Sequence, residues 1–246
     1  MLTPNQLQSY KDNGFVIVNN LYDSLKQKQI VDHMLALHKG TKAVEGFKVR
    51  EKDDWGRTMN THTFDEVIMS FLLDDCLRKP LEQMCDDQVD AIQTMYFYKG
   101  SQQRRHQDQY YLPDCFSAWT AFDEVTKDNG CLWVQPGSHK KELLDKKYFK
   151  DKYGEDIPLF GDHYDSEVDE LFERNGFEEV PVLMQPGDTL FFHGRLIHRG
   201  GPIADENLFR HSLANHYIPY GSGNWDKKGW LRYSFDGDVR DTAATV

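Results

Sequence analysis

Three short stretches of this chain carry side chains whose types and spacing could act together. In His106-Gln107-Asp108 an imidazole and a carboxylate stand two residues apart. On an extended segment such residues face one side and can reach a single metal ion. His198 follows the run Gly187 to Gly194, a turn and then a strand, which places its imidazole at a strand end. Two imidazoles and one carboxylate form a facial set that suits Fe(II) and leaves coordination positions open, although zinc accepts the same donors. Arg210-His211-Ser212 then puts a guanidinium and a hydroxyl on one face of a strand. A guanidinium fork grips a carboxylate through two parallel hydrogen bonds, which is what holding the far end of 2-oxoglutarate requires. Taken singly, each stretch also fits a plain alternative: a surface His-x-Asp, a core histidine, an ion-paired arginine.

Positioning such a set takes a scaffold of short strands. Residues 92–98, 117–122, 131–134, 180–184, 189–192 and 211–218 are apolar, β-branched or aromatic runs. Asn129-Gly130, Pro136-Gly137, Pro186-Gly187 and Gly200-Gly201-Pro202 punctuate them. Many short strands without alternating helices predict a sandwich, barrel or jelly roll. Ahead of them, Thr3-Pro4 starts a helix that Gly14 stops, and Phe15–Val18 is a strand. Ser24 caps a second helix closed by Gly40, and residues 65–85 form one or two more. Residues 140–179 are charge-rich with no clear period and read as a lid-like insertion. The expected organisation is one domain over 1–246: helical support to about 88, a β core over 89–218 interrupted by 140–179, and a tail over 219–246.

Composition narrows the classes further. The 246 residues carry 29 basic and 40 acidic side chains, a net charge of −11, which counts against nucleic acid as a partner. Aromatics at 13% and hydrophobics at 39% fit a globular chain. No apolar run reaches membrane-spanning length, so no membrane partner is expected. Four cysteines without a Cys-x-x-Cys pair, an N-terminus without a signal core and a C-terminus unlike a peroxisomal address make the cytoplasm the expected location. The oligomeric state is not legible.

Several motifs occur in register: His106-Gln107-Asp108, Ala118-Trp119-Thr120-Ala121, Asn129-Gly130-Cys131-Leu132, Pro136-Gly137-Ser138-His139, Gly187-Asp188, and His198 with Arg210. Together, from about Thr94 to Tyr217, they resemble the phytanoyl-CoA dioxygenase family of Fe(II)- and 2-oxoglutarate-dependent oxygenases. The resemblance implies a double-stranded β-helix, a cupin-like jelly roll of mainly β structure with flanking helices. It implies His106, Asp108 and His198 as iron ligands and Arg210 as the 2-oxoglutarate partner. It also implies Met95 and Trp119 as walls of the cosubstrate pocket and O2 as the second cosubstrate. A small organic substrate would be hydroxylated or otherwise oxidised, with release of succinate and CO2. The presence of Asp108 sets the chain apart from halogenating relatives, which lack that carboxylate.

The chain also departs from the family pattern. Gly200 and Ile203 stand where the family has Ser and Asn after the distal histidine, and Ser212 is the candidate for the missing hydroxyl. A family cation ahead of the main strands has no clear counterpart, Asn60 being near the place and Arg57 the nearest base. Gln102-Gln103-Arg104-Arg105 reads as a solvated loop. His62, His193, His211 and His216 read as core or rim residues, and His33, His38 and His163 as solvated. The alternative function is a jelly-roll metal-binding or sensing protein without turnover, with a zinc hydrolase or isomerase more distant.

Overall fold

The computed structural model describes residues 1–49, 51 and 54–241. The helices are α1 (Pro4–Asn13), α2 (Ser24–His38), α3 (Glu66–Leu72), α4 (Asp75–Cys85), α5 (Lys146–Tyr153) and α6 (Asp162–Asn175). The strands are β1 (Phe15–Val18), β2 (Thr58–Met59), β3 (Val89–Phe97), β4 (Phe116–Ala121), β5 (Leu132–Val134) and β6 (Val180–Val182). They continue with β7 (Thr189–His193), β8 (His198–Gly200), β9 (Ser212–Pro219), β10 (Leu231–Ser234) and β11 (Val239–Asp241). The larger sheet runs β1-β7-β4-β9-β3-β10-β11 with β2 beside β3, and the smaller runs β6-β5-β8. Among the described residues these strand pairings are antiparallel. The structure is a jelly roll with flanking helices, as expected.

Local chemistry explains the entry helices. Thr3 and Gln6 form a reciprocal capping box at the start of α1, and Gly14 ends it at φ 85°. In α2 the cap is Asp23 rather than Ser24, because the Asp23 carboxylate accepts the Lys26 N–H at 2.9 Å. One face of α2 buries Ile30, Met34 and Leu37 against α3, α4 and the outer side of the large sheet. The same face takes His33 and His38 inside, correcting their reading as solvated. His33 lies 2.7 Å from Asp65, and His38 stacks on Trp55 with ring centres 4.0 Å apart.

Residues 140–179 hold two helices that their charge density concealed. Asp145 caps α5 through the Tyr148 N–H, Gly154 and Gly176 end the two helices, and a separate apolar cluster of Tyr110, Phe149, Tyr164, Val168, Leu171 and Ile197 lies beneath them. The tail extends the large sheet. Its β10 pairs with the β3 edge and β11 with β10, while Trp225 is buried beside Ile92, Leu112 and Ile218. The reading of residues 243–246 lies outside the described residues.

One irregularity aims the interior. Between Ala91 and Gln93 the β3–β9 register shifts by a residue, a bulge that turns Gln93, Met95 and Phe97 inward. Across β3, β9 and β4 the inward side chains then form rows: Gln93, His216 and Ser117; Met95, Ala214 and Trp119; Phe97, Ser212 and Ala121.

Candidate active site

The first site element is a backbone clasp. His106 and His198 exchange N–H···O=C bonds of 2.9 and 3.0 Å in an isolated antiparallel bridge, so two residues far apart in sequence face each other. Each ring donates its Nδ1–H to a carbonyl two residues upstream, His106 to Arg104 at 2.7 Å and His198 to Leu196 at 3.0 Å. That leaves both Nε2 lone pairs free, and they lie 3.5 and 3.7 Å from Asp108 Oδ1. A second hydrogen bond on the far nitrogen is how metal-binding imidazoles are oriented. The loop before His198 is itself held, because Ile197 N–H donates to Ser138 Oγ at 2.8 Å.

Asp108 opens a 3-10 turn, Asp108–Tyr110. Burial alone would push its carboxyl up. The His198, His106 and His216 rings outweigh that and hold it well below the usual range. Burial and the His106 ring pull His198 down to about 4. Asp108 is thus an anion and the His198 imidazole neutral at pH 7, the states in which a carboxylate and an imidazole bind a divalent cation. Donor atoms of His106, Asp108 and His198 all lie within 4.8 Å of one another. The residues present therefore fit a single metal ion.

From this cluster a cavity of about 320 Å³ runs along the inward rows to Arg210. Arg210 is 1% exposed, with its guanidinium carbon 5.0 Å from the Trp119 ring centre and 6.0 Å from that of Phe97. One amino group bonds the Gly130 carbonyl, while Nε is buried without a partner, and no carboxylate pairs with the group among the described residues. Burial draws this guanidinium down to about 10. A buried cation with an unspent donor costs stability unless an anion completes it. The fit to a carboxylate-bearing cosubstrate is direct.

Met95 and Trp119 line the cavity. Ser212 lies on the Arg210 face of the strand, and its buried Oγ has no partner, but the cavity does not open onto it. Two further residues line the cavity: His216, which the sequence left as a core or rim residue able to line a pocket, and Gln93, which it did not single out. His216 sets Nε2 3.6 Å from Asp108 Oδ2, and Gln93 is its cross-strand neighbour. The even spacing from Arg210 through Ser212 and Ala214 was the signal that could have found His216. Arg57 also reaches the cavity wall. Arg104 and Arg105 are not a loose loop, since they pair with Asp165 and Asp169 on α6 and Arg105 lies 3.8 Å over the Phe172 ring. His62 and His211 bond Thr94 and Tyr96, and His193 accepts the Arg195 N–H. Asp188 is spent on backbone and amide donors, and Asp114 on Ser222 and Asn224.

A jelly roll with two histidines and one carboxylate at one end of its interior has the build of a non-haem iron oxygenase. The sequence profile described as Phytanoyl-CoA dioxygenase (PhyH) matches residues 10–212, and the chain belongs to that family, within the iron(II)- and 2-oxoglutarate-dependent dioxygenases. It is 32% identical over 183 residues to phytanoyl-CoA dioxygenase 1 of Oryza sativa subsp. japonica, covering 70% of this chain and 59% of that relative. It is 24% identical over 265 residues to the peroxisomal phytanoyl-CoA dioxygenase of Bos taurus, covering 98% and 76%. Its fold is like that of the epimerase SnoN from nogalamycin biosynthesis in complex with Fe3+ and alpha ketoglutarate, with TM-score 0.67, 17% identity and coverage of 87% and 82%. Among the described residues no helix is long and apolar enough to cross a membrane.

Proposed function

We propose that the protein hydroxylates, or otherwise oxidises, a small organic substrate at the expense of 2-oxoglutarate and O2, releasing succinate and CO2. One observation carries the reading: a single cavity of about 320 Å³ joins an oriented His-Asp-His donor set to a buried guanidinium without an acidic partner. In this proposal His106, Asp108 and His198 hold Fe(II), and Arg210 holds the distal carboxylate of 2-oxoglutarate. When bound, iron and cosubstrate supply the redox chemistry, in which one oxygen atom goes to succinate and the other to the substrate.

The protein's own part is binding, orientation and the exclusion of water. The carbonyls of Arg104 and Leu196 keep both imidazoles in the tautomer that offers Nε2 inward. Asp108 brings the negative charge that offsets part of a dication. Trp119 and Phe97 flank the guanidinium, keep water from it and strengthen its grip on an anion. Met95 walls the same end, and Ser212 adds a hydroxyl once the site fills. We place this activity in the cytoplasm, and subcellular fractionation against a peroxisomal marker tests that placement.

Succinate formation from 2-oxoglutarate under air, with Fe(II) and a panel of small substrates, tests the function. Release that depends on iron and rises with a substrate supports turnover. Tight binding of iron and 2-oxoglutarate without succinate under any condition would instead leave a metal-dependent sensor, the second reading.

A further inference from the structure

The cavity has two unlike sides. The jelly roll carries His198 on β8 and, on segments beside its strands, His106, Asp108 and Arg210, whereas the turn Pro158–Gly161, between α5 and α6, supplies Leu159 and Phe160. Phe160 meets His106 edge to face, with ring centres 5.1 Å apart and planes at 77°. Its backbone stands at φ 64°, the left-handed region that a residue with a Cβ enters at a cost. Gly161 follows at once, yet the strained position is filled by Phe160. Strain kept beside a donor set points to a use for the side chain it delivers.

The turn is held open to that conformation by the segment bearing the metal donors. Arg104 donates to the Phe160 carbonyl at 3.1 Å, and Tyr110 donates its hydroxyl to the Ile157 carbonyl. Gly161 N–H closes the turn on the Pro158 carbonyl at 3.1 Å. Gly161 itself cannot be enlarged freely, since a Cβ there would stand 2.9 Å from Pro158 Cγ. Gln107, between the two donors, bonds Leu144 N–H and the Glu142 and Arg195 carbonyls. The donor segment is thus hydrogen-bonded both to the turn and to the start of the insertion.

We propose that Phe160 is the specificity-determining residue of the site, an apolar stop above His106 that admits compact aliphatic groups to the metal and turns away bulkier ones. Its neighbour Leu159 lines the same cavity and is likewise apolar, so the turn offers an approaching carbon no polar side chain to desolvate. The inference rests on the metal reading above, and its test separates the two.

Co(II) loaded anaerobically into the full chain reports added ligands through its visible spectrum. Imidazole and 4-phenylimidazole then measure the space over His106. In Phe160→Ala the affinity for 4-phenylimidazole should rise at least tenfold, while that for imidazole stays within twofold. Phe160→Gly should show the same selectivity change and melt above Phe160→Ala, because glycine relieves the left-handed strain. Should Phe160→Ala fold poorly, Phe160→Gly carries the measurement. Equal shifts for both ligands, or none, would overturn the proposal while leaving the metal site standing. A wild-type protein whose Co(II) spectrum answers to neither ligand would overturn the metal reading, and this inference with it.

Discussion

The sheet wall and the insertion wall of the cavity are built by different physics. On the sheet, strand register delivers the side chains: once β3, β4 and β9 pair, with the bulge before Gln93 setting the phase of β3, alternation turns Gln93, Met95, Trp119, Ala214 and His216 inward. The insertion has no such rule. Leu159 and Phe160 reach the site because Gln107, Arg104 and Tyr110 bond its backbone from the donor segment. The donor set and the guanidinium belong to the jelly roll, and Leu159 and Phe160 belong to the insertion. Loops tolerate change without disturbing the scaffold, which suits them to carry specificity.

The largest effect expected is on the regular wall. His106→Ala, Asp108→Ala or His198→Ala should each abolish tight Fe(II) binding and all 2-oxoglutarate turnover, with the far-ultraviolet circular dichroism unchanged. Metal content after anaerobic loading and desalting checks this. Two of the three variants retaining full iron would break the assignment of the donor set. Asp108→Gly should behave likewise, iron-poor at ordinary chloride, because an opened coordination position does not by itself supply the surroundings that hold a halide.

Gln107→Ala would sharpen the comparison by cutting the tie between the walls. It strips partners from a buried N–H and two carbonyls, at about 1–3 kcal/mol for each group left unsatisfied. At about 1 kcal/mol for each of the three groups we expect a fall in Tm of roughly 6–12 °C, and more at the upper figure, together with faster proteolysis within residues 140–179. Unchanged Tm and cleavage would show that the insertion holds itself.

Arg210→Lys should weaken 2-oxoglutarate by roughly 10–100-fold, the equivalent of one charged hydrogen bond, and iron much less. Ser212→Ala should cost about fivefold or less. Titration of the iron–keto-acid absorption band separates the pair, and equal affinity in wild type and Arg210→Lys would assign the carboxylate to another residue.

The smallest effect is a pH dependence. Burial pulls His62 down to about 4. Between its ordinary value and that one the unfolded chain takes up a proton the folded protein refuses, so stability falls as pH drops from about 6.5 to 5. His62 alone contributes on the order of 1–2 kcal/mol over that range. Urea unfolding of wild type and His62→Gln at the two pH values checks it, the variant losing less.

Legibility in the sequence follows the same division. Spacing on extended segments made His106, Asp108, His198 and Arg210 candidates beside plain alternatives, and the joined motifs with the family resemblance they carry singled them out. The strands were readable from their apolar runs. His216 was read as a core or rim residue rather than assigned to the site, although it continues the Arg210, Ser212, Ala214 alternation, since no local signal says which face of a buried strand meets a cavity. The α5 and α6 helices were missed because Asp145, Gly154 and Gly176 mark their ends only after the intervening charges are known to be solvated. Arg104 and Arg105 looked like a solvated loop because their partners, Asp165 and Asp169, lie 61 and 64 residues away. The left-handed backbone at Phe160 has no sequence signature at all, since glycine would be expected there.

The central claim is that one cavity joins a three-donor iron site to a guanidinium anchor for 2-oxoglutarate. Anaerobic titration of Fe(II) and then 2-oxoglutarate into the full chain tests it most directly. The account predicts a visible absorption band that saturates at one iron and one 2-oxoglutarate per chain, absent in Asp108→Ala and shifted to much higher 2-oxoglutarate in Arg210→Lys. A wild-type protein that binds iron but never develops the band, or a band untouched by both substitutions, would contradict it.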